Sequence, residues 1–86
     1  MFDIKFTNCA LEDLEVFPRS EQKWIVTALE SKLKTAAAKE SGDRKRLRAT
    51  GAGRWEIRLG DVRVFYNVDT VNEMVKIEAI GRRFFL

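Results

Sequence analysis

Arg58, Arg63 and Glu56 are the residues of this chain whose types and spacing could do chemistry together. All three lie in RWEIRLGDVRVFY, the stretch from Arg54 to Tyr66. Apolar and polar residues alternate on either side of Gly60-Asp61, and a glycine at the first central position suits a two-residue type II′ hairpin turn. With that register Leu59 faces Val62, Ile57 faces Val64 and Trp55 faces Tyr66, which makes those six the core side. The interleaved set pairs Arg58 with Arg63, Glu56 with Phe65 and Arg54 with Asn67 on the opposite face. Like charges directly across a ladder repel. An Arg58–Arg63 pair therefore asks for a counter-anion, and a phosphate, which matches the guanidinium fork, would serve.

The distribution of charge points the same way. The net charge is +3, yet Arg44 to Arg63 holds seven basic residues (Arg44, Lys45, Arg46, Arg48, Arg54, Arg58, Arg63) against two acids, Glu56 and Asp61. Arg82 and Arg83 add to this, and the rest of the chain carries seven basic residues against eleven acids. Such polarity fits a polyanionic partner, nucleic acid first; a solvated basic surface is the plainer reading. The chain has no histidine and one cysteine, Cys9, so the usual zinc sets are missing, no intramolecular disulfide can form, and no metal or cofactor is implied. Cys9 reads as a small buried hydrophobe. MFDIKF carries Asp3, and no apolar stretch approaches the ~18 residues of a membrane span. The expectation is a cytoplasmic protein with no membrane partner.

The elements that must position these groups follow from periodicity. Residues 1–86 suffice for one small domain near the lower limit of a self-sufficient core. Phe2, Ile4 and Phe6 alternate with Asp3 and Lys5 as in a half-buried strand. Asn8 can cap a helix from Cys9 to about Phe17 with Ala10, Leu11 and Leu14 inside, and Pro18 ends it. A longer helix starts near Ser20, with Ile25, Ala28, Leu29, Leu33 and Ala36 as its apolar stripe and Gly42 as its stop. Trp24, beside that stripe, is expected against the first helix. Glu40 to Gly53 reads as a long charged loop. The hairpin follows, and then a last strand from about Met74 to Ile80. The expected class is α+β in the order β-α-α-β-β-β, a largely antiparallel sheet with a two-helix hairpin on one face and the other face open.

The stretch LRATGAGRWEIRLGDVRVFYNVD followed by VKIEAIGRR resembles the RelE/ParE superfamily, the toxins of bacterial type II toxin–antitoxin modules. The likeness covers nearly the whole chain in element order and is most specific from Leu47 to Arg83. It implies a toxin encoded beside a cognate, acidic antitoxin that wraps it, with DNA reached only through that antitoxin. RelE-like members are endoribonucleases that cut messenger RNA on the ribosome, whereas ParE-like members poison gyrase, and a degenerate member would keep antitoxin binding alone.

Carried over residue by residue, the RelE-like surface would use Arg48 in the loop before the hairpin, Glu56 and Arg58 on its first strand, Arg63 on its second and Arg83 after the last glycine. One expected lysine is here Glu56, and the C-terminal tyrosine has no counterpart in RRFFL. RNA cleavage of this type needs a base for the 2′-hydroxyl, an acid for the leaving 5′-oxygen and cations for the developing phosphorane. Arg58, Arg63 and Arg83 are the expected cations. Glu56 is the one carboxylate available as a base on the open face, where flanking arginines weaken it. Arg48, Arg46, Lys45, Arg54 and Arg82 are the candidates for gripping the RNA backbone. Simple alternation along the last strand sends Arg82 rather than Arg83 to the open face, and a bulge at Gly81 would reset the phase, so both stay in the set. Phe84, Phe85 and Leu86 either fold back on the helices or belong to the antitoxin site.

Overall fold

The expected hairpin register is met at every position. In the computed structural model, which describes residues 1–36, 42, 44–46 and 54–82, the elements are β1 (Asp3–Phe6), α1 (Asn8–Glu15), α2 (Arg19–Ala36), β2 (Arg44–Arg46), β3 (Arg54–Leu59), β4 (Val62–Asp69) and β5 (Met74–Arg82). β3 and β4 pair Leu59 with Val62, Ile57 with Val64, Trp55 with Tyr66 and Arg58 with Arg63. Gly60 takes φ +63°, and Glu73 is the single non-glycine residue at positive φ among the described residues. Positive φ at the first central position only is the signature of the type II′ turn.

The sheet order is β1-β5-β4-β3-β2. β1 runs parallel to β5, and the other neighbours are antiparallel. Both helices lie on one face. Ala10, Leu14, Phe17, Ile25, Leu29 and Leu33 pack there against Trp55, Ile57, Leu59, Val62, Val64, Tyr66, Val75, Ile77 and Ile80. Trp55 and Tyr66 stack across the ladder, centroids 6.4 Å apart. The α+β class and the helical pair on one face are as expected.

Several local expectations are corrected. The charged segment expected as a loop contains β2, which adds a short edge strand to β3 and pairs Arg44 with Ile57, Lys45 with Glu56 and Arg46 with Trp55. No apolar alternation announces it, because an edge strand of three basic residues needs only a ladder to join. Thr7, not Asn8, caps α1, its hydroxyl accepting from the Ala10 N–H at 3.2 Å. The inner stripe of α1 is Ala10 and Leu14, four residues apart, which leaves Leu11 45% exposed and Cys9 exposed rather than buried. Trp24 is half exposed and lies over the hairpin turn, its Cη2 3.9 Å from where a Cβ on Gly60 would stand.

The bulge on β5 sits at Glu78, not Gly81. Phe65 pairs with Ala79 and Tyr66 with Ile77, which leaves Glu78 as the extra residue. The phase of β5 flips there, so Val75 and Ile77 before it and Ile80 after it all reach the core. β1 ends opposite Ile77, and α1 closes the remaining edge of β5, where Asp13 accepts from the Ile80 N–H at 3.0 Å. This edge closure supplies a role for Asp13 that helix periodicity does not show. Among the described residues no helix is long and apolar enough to cross a membrane.

Candidate nucleic-acid interface

The face of the sheet away from the helices is built by register. β3 contributes Arg54, Glu56 and Arg58; β4 contributes Arg63, Phe65 and Asn67; β5 contributes Lys76 and Glu78. β1 adds Asp3 and Lys5, opposite Met74 and Lys76. Arg58 and Arg63 are direct cross-strand partners, so the two guanidiniums share one patch as the alternation requires.

Their surroundings differ. Arg63 Nε forms an ion pair with Glu56 Oε2, the diagonal neighbour across the ladder. Glu56 is the one buried charged residue among those described, at 8% exposure, lying between Lys45 and Phe65 in the ladder. The expected counter-anion of Arg63 is thus in part internal. Arg58 is exposed and takes part in no ion pair among the described residues. Arg54 reaches across β4 to Glu78, 3.5 Å away.

One expected member separates from this patch. Arg82 is on the helix side, a correction that follows from the bulge at Glu78. Its guanidinium donates to Glu21 at 2.7 and 2.8 Å and to Asp61 at 3.1 and 3.2 Å, and it lies 4.7 Å from the Phe17 ring centroid. These bonds hold the Glu21 carboxyl below the usual carboxylate range and raise Arg82 above that of an isolated arginine. Arg44 donates to the Lys32 carbonyl of α2 at 2.9 Å. Lys45 and Arg46 are in β2, at the register positions opposite Glu56 of the patch and Trp55 of the core side respectively. Arg48, Arg83 and Phe84, Phe85 and Leu86 lie outside the described residues. Tyr66 is fully buried on the core side, so it offers nothing to the open face.

The sequence reading missed a second like-charge pair. Lys5 and Lys76 are partners in the parallel β1–β5 ladder, both exposed. Alternation puts each on the outer face of its own strand, but a pairing across 71 positions leaves no local signal. Beside them Asn67, Asp69, Asn72, Met74 and Lys76 line a cavity of about 370 Å³.

Comparison with known proteins places this geometry. The model of a family described as "ParE toxin of type II toxin-antitoxin system, parDE" matches residues 4–83. Among solved structures, the chain is similar to one in the toxin–antitoxin complex RelBE2 from Mycobacterium tuberculosis, with TM-score 0.83 and 26% identity over 95% of this chain and 98% of that one. A chain of the archaeal RelE–RelB complex from Pyrococcus horikoshii matches with TM-score 0.76 and 22% identity, over 95% of this chain and 94% of its own. One from the YoeB–YefM complex of Staphylococcus aureus matches with TM-score 0.69 and 24% identity, over 94% and 95%. No curated protein matches the sequence.

Proposed function

Since the chain belongs to the ParE toxin family within the RelE/ParE superfamily of type II toxins, we propose that it acts by cleaving messenger RNA and is neutralised by a cognate antitoxin. The observation that carries the RNA reading is the Arg58–Arg63 pair on the uncovered sheet face, with Arg58 exposed and unpaired among the described residues. In the cleavage step the 2′-hydroxyl gives its proton to water as its oxygen attacks the adjacent phosphorus, a phosphorane gathers negative charge, and the bond to the 5′-oxygen breaks as that oxygen takes a proton from water. Preorganised guanidiniums aimed at that charge lower the barrier without reorganising. Arg83, in the RR of the C-terminal sequence, is proposed as a third cation, and Arg48, Arg46, Lys45 and Arg54 as backbone contacts. The antitoxin reading is supported by relatives whose structures are complexes with RelB and YefM.

Glu56 takes a different role from the base considered above. Its carboxylate is buried and committed to Arg63, so we assign it as a positioning residue that fixes the Arg63 guanidinium. A base would give opposite results in a pH profile. If Glu56 were the base, Glu56→Gln would lower cleavage by roughly 10²–10⁴ and erase the acid limb of the rate profile. As a positioning residue it leaves the shape of the profile unchanged in Glu56→Gln, which keeps an oxygen for Arg63 Nε.

The test is cleavage of a ribosome-bound message and of free RNA by wild type, Arg58→Ala and Arg63→Ala, with roughly 10²–10³ lost per arginine. A gyrase-directed reading is second, favoured by the ParE description of the matching family and by Glu56 at the place of an expected lysine. Wild type that cuts neither RNA but blocks gyrase supercoiling would replace the first reading with the second.

A further inference from the structure

We propose that the cavity of Asn67, Asp69, Asn72, Met74 and Lys76 is a nucleotide subsite that seats a phosphate on Lys5 and Lys76 and an amino-bearing base against Asn67 and Asp69. The proposal deepens the RNA reading and rests on it. Its volume of about 370 Å³ lies at the small end of the range for ligand pockets. Four of its five lining residues belong to two adjacent cross-strand pairs, Asn67 with Lys76 and Asp69 with Met74, so the sheet itself holds them rigid. Asn67 is four residues from Arg63 along β4, about 13 Å at ~3.3 Å per residue. One RNA strand can therefore span both places.

The polar groups define the ligand. The half-buried Asn67 amide makes no side-chain hydrogen bond among the described residues, which leaves a donor and an acceptor to read a base edge. Asp69 Oδ1 accepts from the N–H groups of Val71 and Asn72, each at 3.1 Å, and Oδ2 accepts from Asn72 Nδ2 at 2.7 Å. Oδ2 retains a lone pair that can accept from an exocyclic amino group. Adenine and cytosine, and guanine through N2, supply that donor, whereas uracil presents a carbonyl oxygen in its place. The thioether of Met74 gives an apolar surface for the ring. Lys5 and Lys76 repel one another as ladder partners, and a phosphate relieves that repulsion. Asp3, beside Met74 on β1, and Asp69 offset the lysine charge, so base recognition decides the affinity.

The experiment titrates AMP, CMP, UMP and inorganic phosphate into the full chain while NMR follows the side-chain amides of Asn67 and Asn72. AMP and CMP should move both resonances and bind roughly tenfold tighter than UMP. Phosphate alone should leave the Asn67 amide in place. Asp69→Asn, which puts an N–H donor where Oδ2 accepts, should erase the preference, Asn67→Ala should weaken AMP and CMP, and Lys76→Gln should weaken all three nucleotides. Equal response to UMP, or a preference that survives Asp69→Asn, overturns the subsite. Oligo(C) and oligo(U) binding separates this from the arginine reading. If Arg63→Gln weakens both oligonucleotides while Asp69→Asn keeps the preference, the subsite falls alone. If mononucleotides move the Asn67 amide while Arg63→Gln leaves oligonucleotide affinity untouched, the arginine-pair reading falls alone. No binding of any nucleotide overturns both.

Discussion

On the covered side of the sheet Arg82 is surrounded: two acids from α2 and the hairpin turn take its N–H groups, and the Phe17 ring lies under its charge. On the open side Arg58 stands exposed, with Arg63 beside it and no acid of its own among the described residues. Arg63 is intermediate, tied through Nε to Glu56. The three contribute equally to net charge, but they differ in how much of that charge is left for a partner. An arginine whose donors are occupied joins parts of the fold; one left open repels its neighbour until an anion arrives. Among the described arginines, the charge left for a partner is thus smaller and more sharply placed than their number suggests.

Substitutions can break that contrast. The largest effect on folding is expected from Leu59→Ala on the covered face, about 2–5 kcal/mol for a buried leucine, read from denaturant melts; little change would mean that the helices do not cover this face. Next comes Arg63→Gln, which leaves the buried Glu56 carboxylate without its cation. A loss of roughly 1–3 kcal/mol is expected, against the gain that relief of Arg58–Arg63 repulsion alone would give. Stability that rises instead would show that Glu56 does not need Arg63.

The Arg82 cluster is tested by acid. Glu21 is held low by its hydrogen bonds to Arg82, so its stabilisation is present above the unfolded carboxyl's value and is lost as pH falls through the folded one. Wild type should therefore exceed Glu21→Gln in stability near neutral pH, and the difference should close below the ordinary carboxylate range. A gap that persists in acid would dissociate the cluster from charge. The smallest effect belongs to Arg58→Gln, expected within about 0.5 kcal/mol of wild type while RNA affinity falls and its salt dependence becomes shallower. Destabilisation by this variant would mean that Arg58 is spent in the fold as Arg82 is.

Where the signal is local, the chain announces its structure. Alternation around Gly60 sets the hairpin register, the separation of Trp55, Ile57 and Leu59 from Arg54, Glu56 and Arg58, and the adjacency of Arg58 and Arg63, because side-chain period and turn length leave no other consistent pairing. The apolar stripe of Ile25, Leu29 and Leu33 likewise commits α2 to the core. Tertiary structure decided the rest. Which residue of β5 bulges depends on how β4 and β5 pair over their whole length, and this sends Arg82 to the helices. Lys5 meets Lys76 only because β1 closes the sheet in parallel with β5. That Glu56 is a buried partner of Arg63 rather than an exposed carboxylate depends on β2 docking beside it, a contact made by backbone hydrogen bonds that carry no side-chain pattern for a sequence to show.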